Sequence, residues 1–410
     1  MRVADVVVVG GGVVGLAIAT AVRKRWTDAR VTLLEKERDV GLHASTRNSG
    51  VLHAGFYYAA DSLKARLTRQ GRDRLAAFCD EHGIPVRRCG KLVVARNQDE
   101  TATLEELARR GATNGVPVEL VTEDDARRIE PRARTHGQAL FSPTTASVEP
   151  AAVVAALARV AERTGVEVRT GVRVIGVRDP GGTGARQSPA GWTLRTTVGD
   201  VPAGYVINAA GLYADRIAHA FGFGRCYRIL PFRGVYLHAD GSVALSTHVY
   251  PVPDLRNPFL GVHFTVTAGG HTKIGPTAMP ALWREHYGGV GRFNAREMVE
   301  VVSREALLLA RNDFGFRALA AEEVPKYFRA QLVRRAAELV PGIHPGQFRE
   351  WGRPGIRAQL LDTRTRRLEM DFVFHGDARS FHVLNAVSPA FTCCLSFADF
   401  ALERAAALMG

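Results

Sequence analysis

A chain of 410 residues, 46% hydrophobic and 23% charged, can bury a large core, and its composition is that of an ordinary globular protein rather than a disordered or collagen-like one. Its formal charge of +13 comes mostly from arginine, but stretches such as Arg23-Lys24-Arg25, Arg87-Arg88 and Arg364–Arg367 are scattered and lack interleaved aromatics, which argues against nucleic acid and leaves small anions or an anionic surface as partners. Five cysteines, at 79, 89, 226, 393 and 394, make no C-x-x-C pair or spaced ligand set, so no metal is expected, and a reducing, cytoplasmic compartment is the simplest reading.

The chain opens on an apolar strand, Val6–Val9, followed by Gly10-Gly11-Gly12, an apolar-periodic helix from near Gly12, and a second strand, Val31-Thr-Leu-Leu, ending in Glu35. Strand, glycine turn, helix and strand-terminal acid form the pattern of a dinucleotide site. Gly10 allows the tight turn, Gly12 a close approach to a pyrophosphate at the helix N-terminus, and Gly15 close packing of helix on sheet. Glu35, followed by Lys36, is placed to accept from ribose hydroxyls and would repel a 2′-phosphate. Val6–Val22 carries no charge, but three adjacent glycines argue against a membrane span, and no basic leader with a cleavage site precedes it.

From Lys36 to Tyr58, glycine and small polar residues are too dense for a packed helix and predict a loop lying close to a ligand. Helical periodicity follows over Ser62–Cys79, with Leu63, Leu67, Leu75 and Phe78 as the buried stripe. A strand pair broken near Gly90 is expected over Val86–Ala95, then helices over Thr101–Arg110 and Pro150–Thr164. Val166–Arg178 is β-rich, Asp179–Gly191 is a surface turn, and Tyr205–Gly211 again runs from an apolar strand into small residues, with Gly211 marking a second close crossing. Strands dominate Tyr227–Gly275, helices 281–345 and strands Arg357–Ala386, and a helix over Phe397–Met409 ends the chain.

At His43–Tyr58, Val206–Asp215, Tyr250–Thr265 and Arg353–Pro389 the chain closely resembles the L-2-hydroxyglutarate dehydrogenases and oxidases, members of the D-amino-acid-oxidase-like flavoproteins. Arg47-Asn-Ser-Gly-Val-Leu-His-Ala-Gly-Phe-Tyr-Tyr58, Pro251-Val-Pro-Asp254 and Gly261-Val-His-Phe-Thr265 carry the resemblance, which extends over almost the full length. Ala44-Ser45-Thr46 and Phe391-Thr392-Cys393-Cys394 depart from the family pattern. The resemblance implies noncovalently held FAD, oxidation of L-2-hydroxyglutarate to 2-oxoglutarate, and a quinone or oxygen as electron acceptor. It also implies a Rossmann-like, α/β FAD-binding domain (1–85, 140–225 and 350–410) interlaced with an antiparallel-rich, mixed-sheet substrate domain (86–139 and 226–349).

In such a reaction a side-chain base takes the hydroxyl proton while hydride leaves the α carbon, and histidine titrates in the right range. His53 is the first candidate and His263 the rival, with satisfied core histidines as the plain alternative. A small anionic 2-hydroxy acid calls for planar cationic donors, for which Arg357 stands first and Arg353 second. Lys273 is placed to steer the anion, to stabilise the charge of reduced flavin, or to be a solvated strand lysine, and Tyr57, Tyr58 and Tyr250 to line the chamber or pack as ordinary aromatics. Arg47, Asn48 and Ser49 are expected near the cofactor, His43 as a flavin contact or a structural residue, and Asn385, Ser388 and Pro389 near the flavin by resemblance.

Two other functions stay open at this point: an FAD-dependent oxidase of a small amino acid, and a noncatalytic flavoprotein partner in an assembly, including an RNA-modifying one. Peripheral contact on the inner face of a membrane, with Phe391–Phe400 as the patch, competes with that run being an internal helix. The oligomeric state is not set by these residues.

Overall fold

The computed structural model describes residues 5–179, 191–255, 257 and 259–410. The turn expected over Asp179–Gly191 lies almost wholly outside them. The chain divides into two compact units, one formed by 1–46, 151–230 and 358–410 and the other by 47–150 and 231–357. Segment 47–85, expected with the nucleotide domain, folds with the second unit, as does 140–150.

In the first unit a six-stranded sheet runs in the order Val373–Gly376, Ser380–Asn385, Tyr205–Asn208, Asp5–Val9, Arg30–Leu34, Val166–Arg169. All neighbours are parallel except the outermost pair, Val373–Gly376 with Ser380–Asn385. Val6–Val9 lie at its centre and are buried throughout, as a strand paired on both edges and covered on both faces requires. The helix Val13–Arg25 packs on the carboxy-terminal helix Cys394–Met409. That last helix begins three residues before the expected Phe397, and the Phe391–Phe400 run is mostly buried, so it is an internal element. A three-stranded antiparallel sheet, Val174–Arg178, Trp192–Thr196 and Gly199–Ala203, completes this unit's β-structure.

The second unit is built on an eight-stranded sheet, in the order Phe348–Trp351, Leu237–Ala239, Thr272–Gly275, His263–Val266, His248–Pro251, Lys91–Val94, Gln138–Ser142, Glu119–Thr122. Lys91–Val94 and His248–Pro251 are its one parallel pair in the described registers. Val86–Ala95 is therefore not a strand pair. Arg87 makes an isolated bridge to Ser147, and a single strand starts at Lys91. The helix Leu63–Glu81 is capped by Ser62, whose Oγ accepts from Ala65 N at 3.1 Å, and of its expected stripe Leu67 and Leu75 are fully buried. Helices Ala295–Arg311, Phe316–Glu323 and Arg329–Ala337 occupy the segment expected to be helical.

Candidate functional site

In the first unit the glycine turn is made by backbone. Gly10 sits at φ +111°, and a Cβ there would lie 2.5 Å from Ala209 O. At Gly15 a Cβ would meet Gly10 O at 1.9 Å, so helix Val13–Arg25 could not approach its strand with any other residue. Gly12 is the N-cap and contributes no side-chain bond; instead Val13 N donates to Ser45 Oγ at 3.0 Å. No acid occupies the helix's first turn, which leaves its positive end open to an anion.

Glu35 is 7% exposed, and its two oxygens accept from Gly11 N (2.7 Å) and Glu37 N (2.9 Å). Burial pushes its carboxyl up, and the two backbone donors oppose that. A carboxylate thus lies one hydrogen bond from the amides of the glycine turn, as a ribose acceptor beside a pyrophosphate cradle would have to. This donor and acceptor set fits the adenosine diphosphate part of FAD. Lys36, Glu37 and His43 form a polar knot next to it: His43 Nε2 lies 3.1 Å from Glu37 Oε1 and 3.0 Å from Lys36 Nζ, and Lys36 also pairs with Glu37.

Among the other residues expected at the cofactor, Arg47, Asn48, Ser49 and Asn385 make hydrogen bonds within the chain. Gly211 is at φ +52°, and apart from its chain neighbours no described atom lies within 4 Å of where its Cβ would be; within the chain the close backbone approach is that of Gly10 to Ala209. Asn385 is buried and donates to Glu369 O (3.2 Å) and Asp371 O (2.6 Å), Ser388 is exposed, and Pro389 is buried. Arg47, Asn48 and Ser49 fold with the second unit. There Arg47 donates to Pro354 O at 3.2 Å and stacks over the Tyr287 ring, while Asn48 Oδ1 and Ser49 Oγ accept from the amides of Gly50 and Val51. Gly355 lies against the Arg47 carbonyl, at 2.2 Å from a would-be Cβ, which explains the glycine inside Arg353-Pro-Gly-Ile-Arg357.

The second unit gathers side chains from four distant segments. The His53–Tyr58 loop is tied down by Asn114 Nδ2, donating to Gly55 O and Tyr58 O, and by Arg110, donating to Tyr57 O. His248 and Tyr250, two apart on one strand, share a face; Lys91 pairs with His248 in the adjacent strand, and His263 comes from the strand on the other side. The rings of Tyr250 and His263 stack 3.7 Å apart. Lys91 Nζ lies 4.1 Å from the Tyr250 ring, 5.0 Å from that of Tyr57 and 5.7 Å from that of Phe56. His53, Lys91, Tyr57, Tyr250 and His263 are all under 10% exposed.

This cluster contains no carboxylate. Lys91 is completely buried, its Nζ has no hydrogen-bond partner among the described residues, and burial brings its pKa down to about 7. The hydroxyls of Tyr57 and Tyr250 are likewise buried without a partner. Burial and then the Lys91 charge hold His53 and His263 well below the usual imidazole range, so both are neutral at pH 7. Gly261 O, 2.9 Å from His263 Nδ1, selects the tautomer with hydrogen on Nδ1 and leaves Nε2 as an acceptor. His248 is different: its Nδ1 accepts from Val266 N at 3.0 Å and its Nε2 lies 3.4 Å from Ser147 Oγ and Cys89 Sγ, which makes it a structural histidine.

Lys273 is not a solvated strand lysine. It is 8% exposed, donates to Ser49 O at 3.1 Å and stands over the Tyr236 ring, with its pKa brought down to about 8 by burial. Arg357 is half-buried over the Phe259 ring at 5.4 Å; burial lowers its pKa to about 10, so it stays charged at pH 7. Arg353 is exposed. Sequence reasoning missed Lys91. Its signal was a lysine heading the apolar strand Leu-Val-Val-Ala with no nearby acid to pair with.

Residues 5–403 match the FAD dependent oxidoreductase family. The chain is 36% identical to human mitochondrial L-2-hydroxyglutarate dehydrogenase, over 98% of this chain and 88% of the relative. It is 34% identical to the L-2-hydroxyglutarate dehydrogenase of Indibacter alkaliphilus (98% and 99%) and 31% identical to that of Escherichia coli K12 (99% and 94%). Among solved structures, the L-α-glycerophosphate oxidase of Mycoplasma pneumoniae with FAD bound shares the fold at a TM-score of 0.76 and 22% identity, over 99% of this chain and 95% of that one. Glycine oxidase from Geobacillus kaustophilus does so at 0.71 and 23%, over 98% and 94%. On this evidence of sequence and fold, the chain belongs to the FAD dependent oxidoreductases and, within them, to the L-2-hydroxyglutarate dehydrogenase family.

Proposed function

We propose that the protein binds FAD noncovalently and oxidises L-2-hydroxyglutarate to 2-oxoglutarate, with the electrons going on to a quinone or to oxygen. The observation that carries this reading is the buried cluster of neutral imidazoles around the Lys91 amine, which has no hydrogen-bond partner among the described residues. A cation left unpaired in a dry site is costly, and an anionic substrate would offset that cost. The near full-length relatives named for L-2-hydroxyglutarate supply the choice among anions.

When bound, FAD would supply the two-electron acceptor for the hydride leaving the substrate's α carbon. The residues of this chain do the remaining work. His53, neutral at pH 7, takes the hydroxyl proton. His263, held by Gly261 O and stacked on Tyr250, orients the substrate through its Nε2. Burial, and after it the Lys91 charge, keeps His53 unprotonated until the substrate arrives; the substrate's negative charge then raises the imidazole's basicity. Arg357 takes one carboxylate as a planar donor, with Arg353 as the outer cation, and Lys273 draws the anion inward. Tyr57, Tyr58 and Tyr250 wall the chamber. Glu35, the Gly10–Gly15 turn, Lys36 and His43 hold the nucleotide end of the cofactor.

Anaerobic bleaching of the flavin absorbance tests the assignment, with L-2-hydroxyglutarate, D-2-hydroxyglutarate, L-lactate and glycine run in parallel. Rapid bleaching by the L dicarboxylate alone is expected. Selective reduction by glycine would move the protein to amino-acid oxidation, and no bleaching of a flavin-loaded sample by any of the four would contradict the reading.

A further inference from the structure

A buried lysine ordinarily keeps an acid or a carbonyl at its ammonium, because an unpaired charge in a dry site is expensive. Lys326 follows that rule between Glu322 and Glu323, with Nζ 2.5 Å from Glu323 Oε1. Lys273 follows it too: Ser49 O accepts its hydrogen bond at 3.1 Å, and the Glu149 charge favours its ammonium form. Lys91 breaks it. Its Nζ is fully buried without a hydrogen-bond partner among the described residues, and the rings of Tyr250, Tyr57 and Phe56 surround it.

None of the titratable groups around Lys91 is negative at pH 7 and able to hold the ammonium. Burial pushes the hydroxyls of Tyr57 and Tyr250 well above the usual phenol range and raises the Cys89 thiol. His53, His248 and His263 are pushed down, so all three are neutral. With its pKa brought to about 7, Lys91 is a free amine about half of the time at neutral pH, where a solvated lysine of pKa about 10.4 is almost wholly ammonium. A desolvated lysine of this kind is a nucleophile toward carbonyl carbon.

The reaction proposed above, on which this inference rests, makes such a carbonyl: oxidation of the alcohol leaves an α-keto acid in the chamber. The proton taken from the alcohol then sits on His53, whose charge and that of Lys91 oppose each other. In a cluster without an acid, protonation of the imidazole therefore favours the neutral amine.

We propose that Lys91 captures the α-keto acid product as a reversible Schiff base, which makes the chamber a covalent product-retention site. The Nζ lone pair attacks the carbonyl carbon, the C–N bond forms as the C=O π bond breaks, and the oxygen leaves as water with the two hydrogens of the amine. No oxidant or reductant is consumed, and hydrolysis returns lysine and keto acid. The protonated imine is a cation, and the rings of Tyr250 and Tyr57 suit it as they suit the ammonium.

The test is reductive trapping. The FAD-loaded full chain is incubated near pH 7 with sodium cyanoborohydride and 2-oxoglutarate, pyruvate or no keto acid, with and without glutarate, and the modified lysine is located by peptide mass spectrometry. The expected result is one reduced 2-oxoglutarate adduct on Lys91, formed about 10-fold or more faster than on any other lysine, suppressed by glutarate and absent from Lys91→Arg. That variant keeps the cation but forms no imine, and the site mapped in the wild type decides the matter even where the variant does not fold. Trapping of pyruvate in place of 2-oxoglutarate at Lys91 would support the Schiff base and contradict the substrate reading. No adduct at Lys91 with either keto acid, or labelling that falls on Lys273 or spreads evenly over surface lysines, would overturn the proposal whatever flavin reduction shows about the substrate.

Discussion

The glycine turn of the first unit and the histidine chamber of the second are made in opposite ways. The turn is backbone: four glycines and the start of one helix within six residues, completed by a single carboxylate at the end of the next strand. The chamber is side chains, brought together from residues 91, 248–250 and 263 by strand pairing and from the His53–Tyr58 loop by the bonds of Asn114 and Arg110. A backbone site tolerates almost nothing at its glycines and is indifferent to most other positions. A side-chain site keeps its fold through substitution and loses its chemistry.

The largest effect that would sharpen this contrast is expected at Gly15. A Gly15→Ala methyl would collide with Gly10 O, so helix and strand must separate and the purified protein should carry no flavin absorbance. Retained flavin at wild-type stoichiometry would show that the turn is less constrained than its geometry states. Glu35→Gln should be milder: it keeps an acceptor for Gly11 N but removes the charge, weakening FAD by roughly 1.5–3 kcal/mol in an equilibrium titration of the apoprotein.

Lys91→Met acts on the other site and should leave flavin content alone. Removing the buried cation allows His53 to protonate more readily, so the acid limb of kcat/KM should move to higher pH, and KM should rise more than kcat falls. The same variant makes a stability prediction. Lys91 binds its proton more weakly folded (about 7) than unfolded (10.5), so between those values the unfolded chain holds more protons and this group makes stability rise with pH. Thermal melts should therefore show Lys91→Met gaining on the wild type as pH falls from about 10 toward 7, by an amount on the order of a few kcal/mol. A constant difference across that range would mean that Lys91 is not desolvated. The smallest effect is expected at Ser45→Ala, which removes the acceptor of Val13 N and should cost about 1 kcal/mol in denaturant unfolding.

These differences also explain what could be seen in the sequence. Val6–Glu35 is contiguous and its pattern is local, so the strand, turn, helix and strand-terminal acid were legible without a structure. His53 and His263 were legible as candidates because they stand in distinctive motifs. Their relation was not, because it depends on which strands pair and in what register. Lys91 was passed over for the same reason: nothing within ten residues shows that its partners are the rings of Tyr57 and Tyr250. The solvated reading of Lys273 failed because Ser49 O, more than two hundred residues away, holds it inside.

The central claim is that His53 accepts the substrate's hydroxyl proton, and the most direct measurement is the rate of anaerobic flavin reduction by L-2-hydroxyglutarate in His53→Gln, with His263→Gln alongside. The account predicts that His53→Gln retains its flavin and still binds substrate but reduces the flavin on the order of 10²- to 10⁴-fold more slowly, with a much smaller loss in His263→Gln. Near wild-type reduction in His53→Gln, with the large loss at His263 instead, would contradict it.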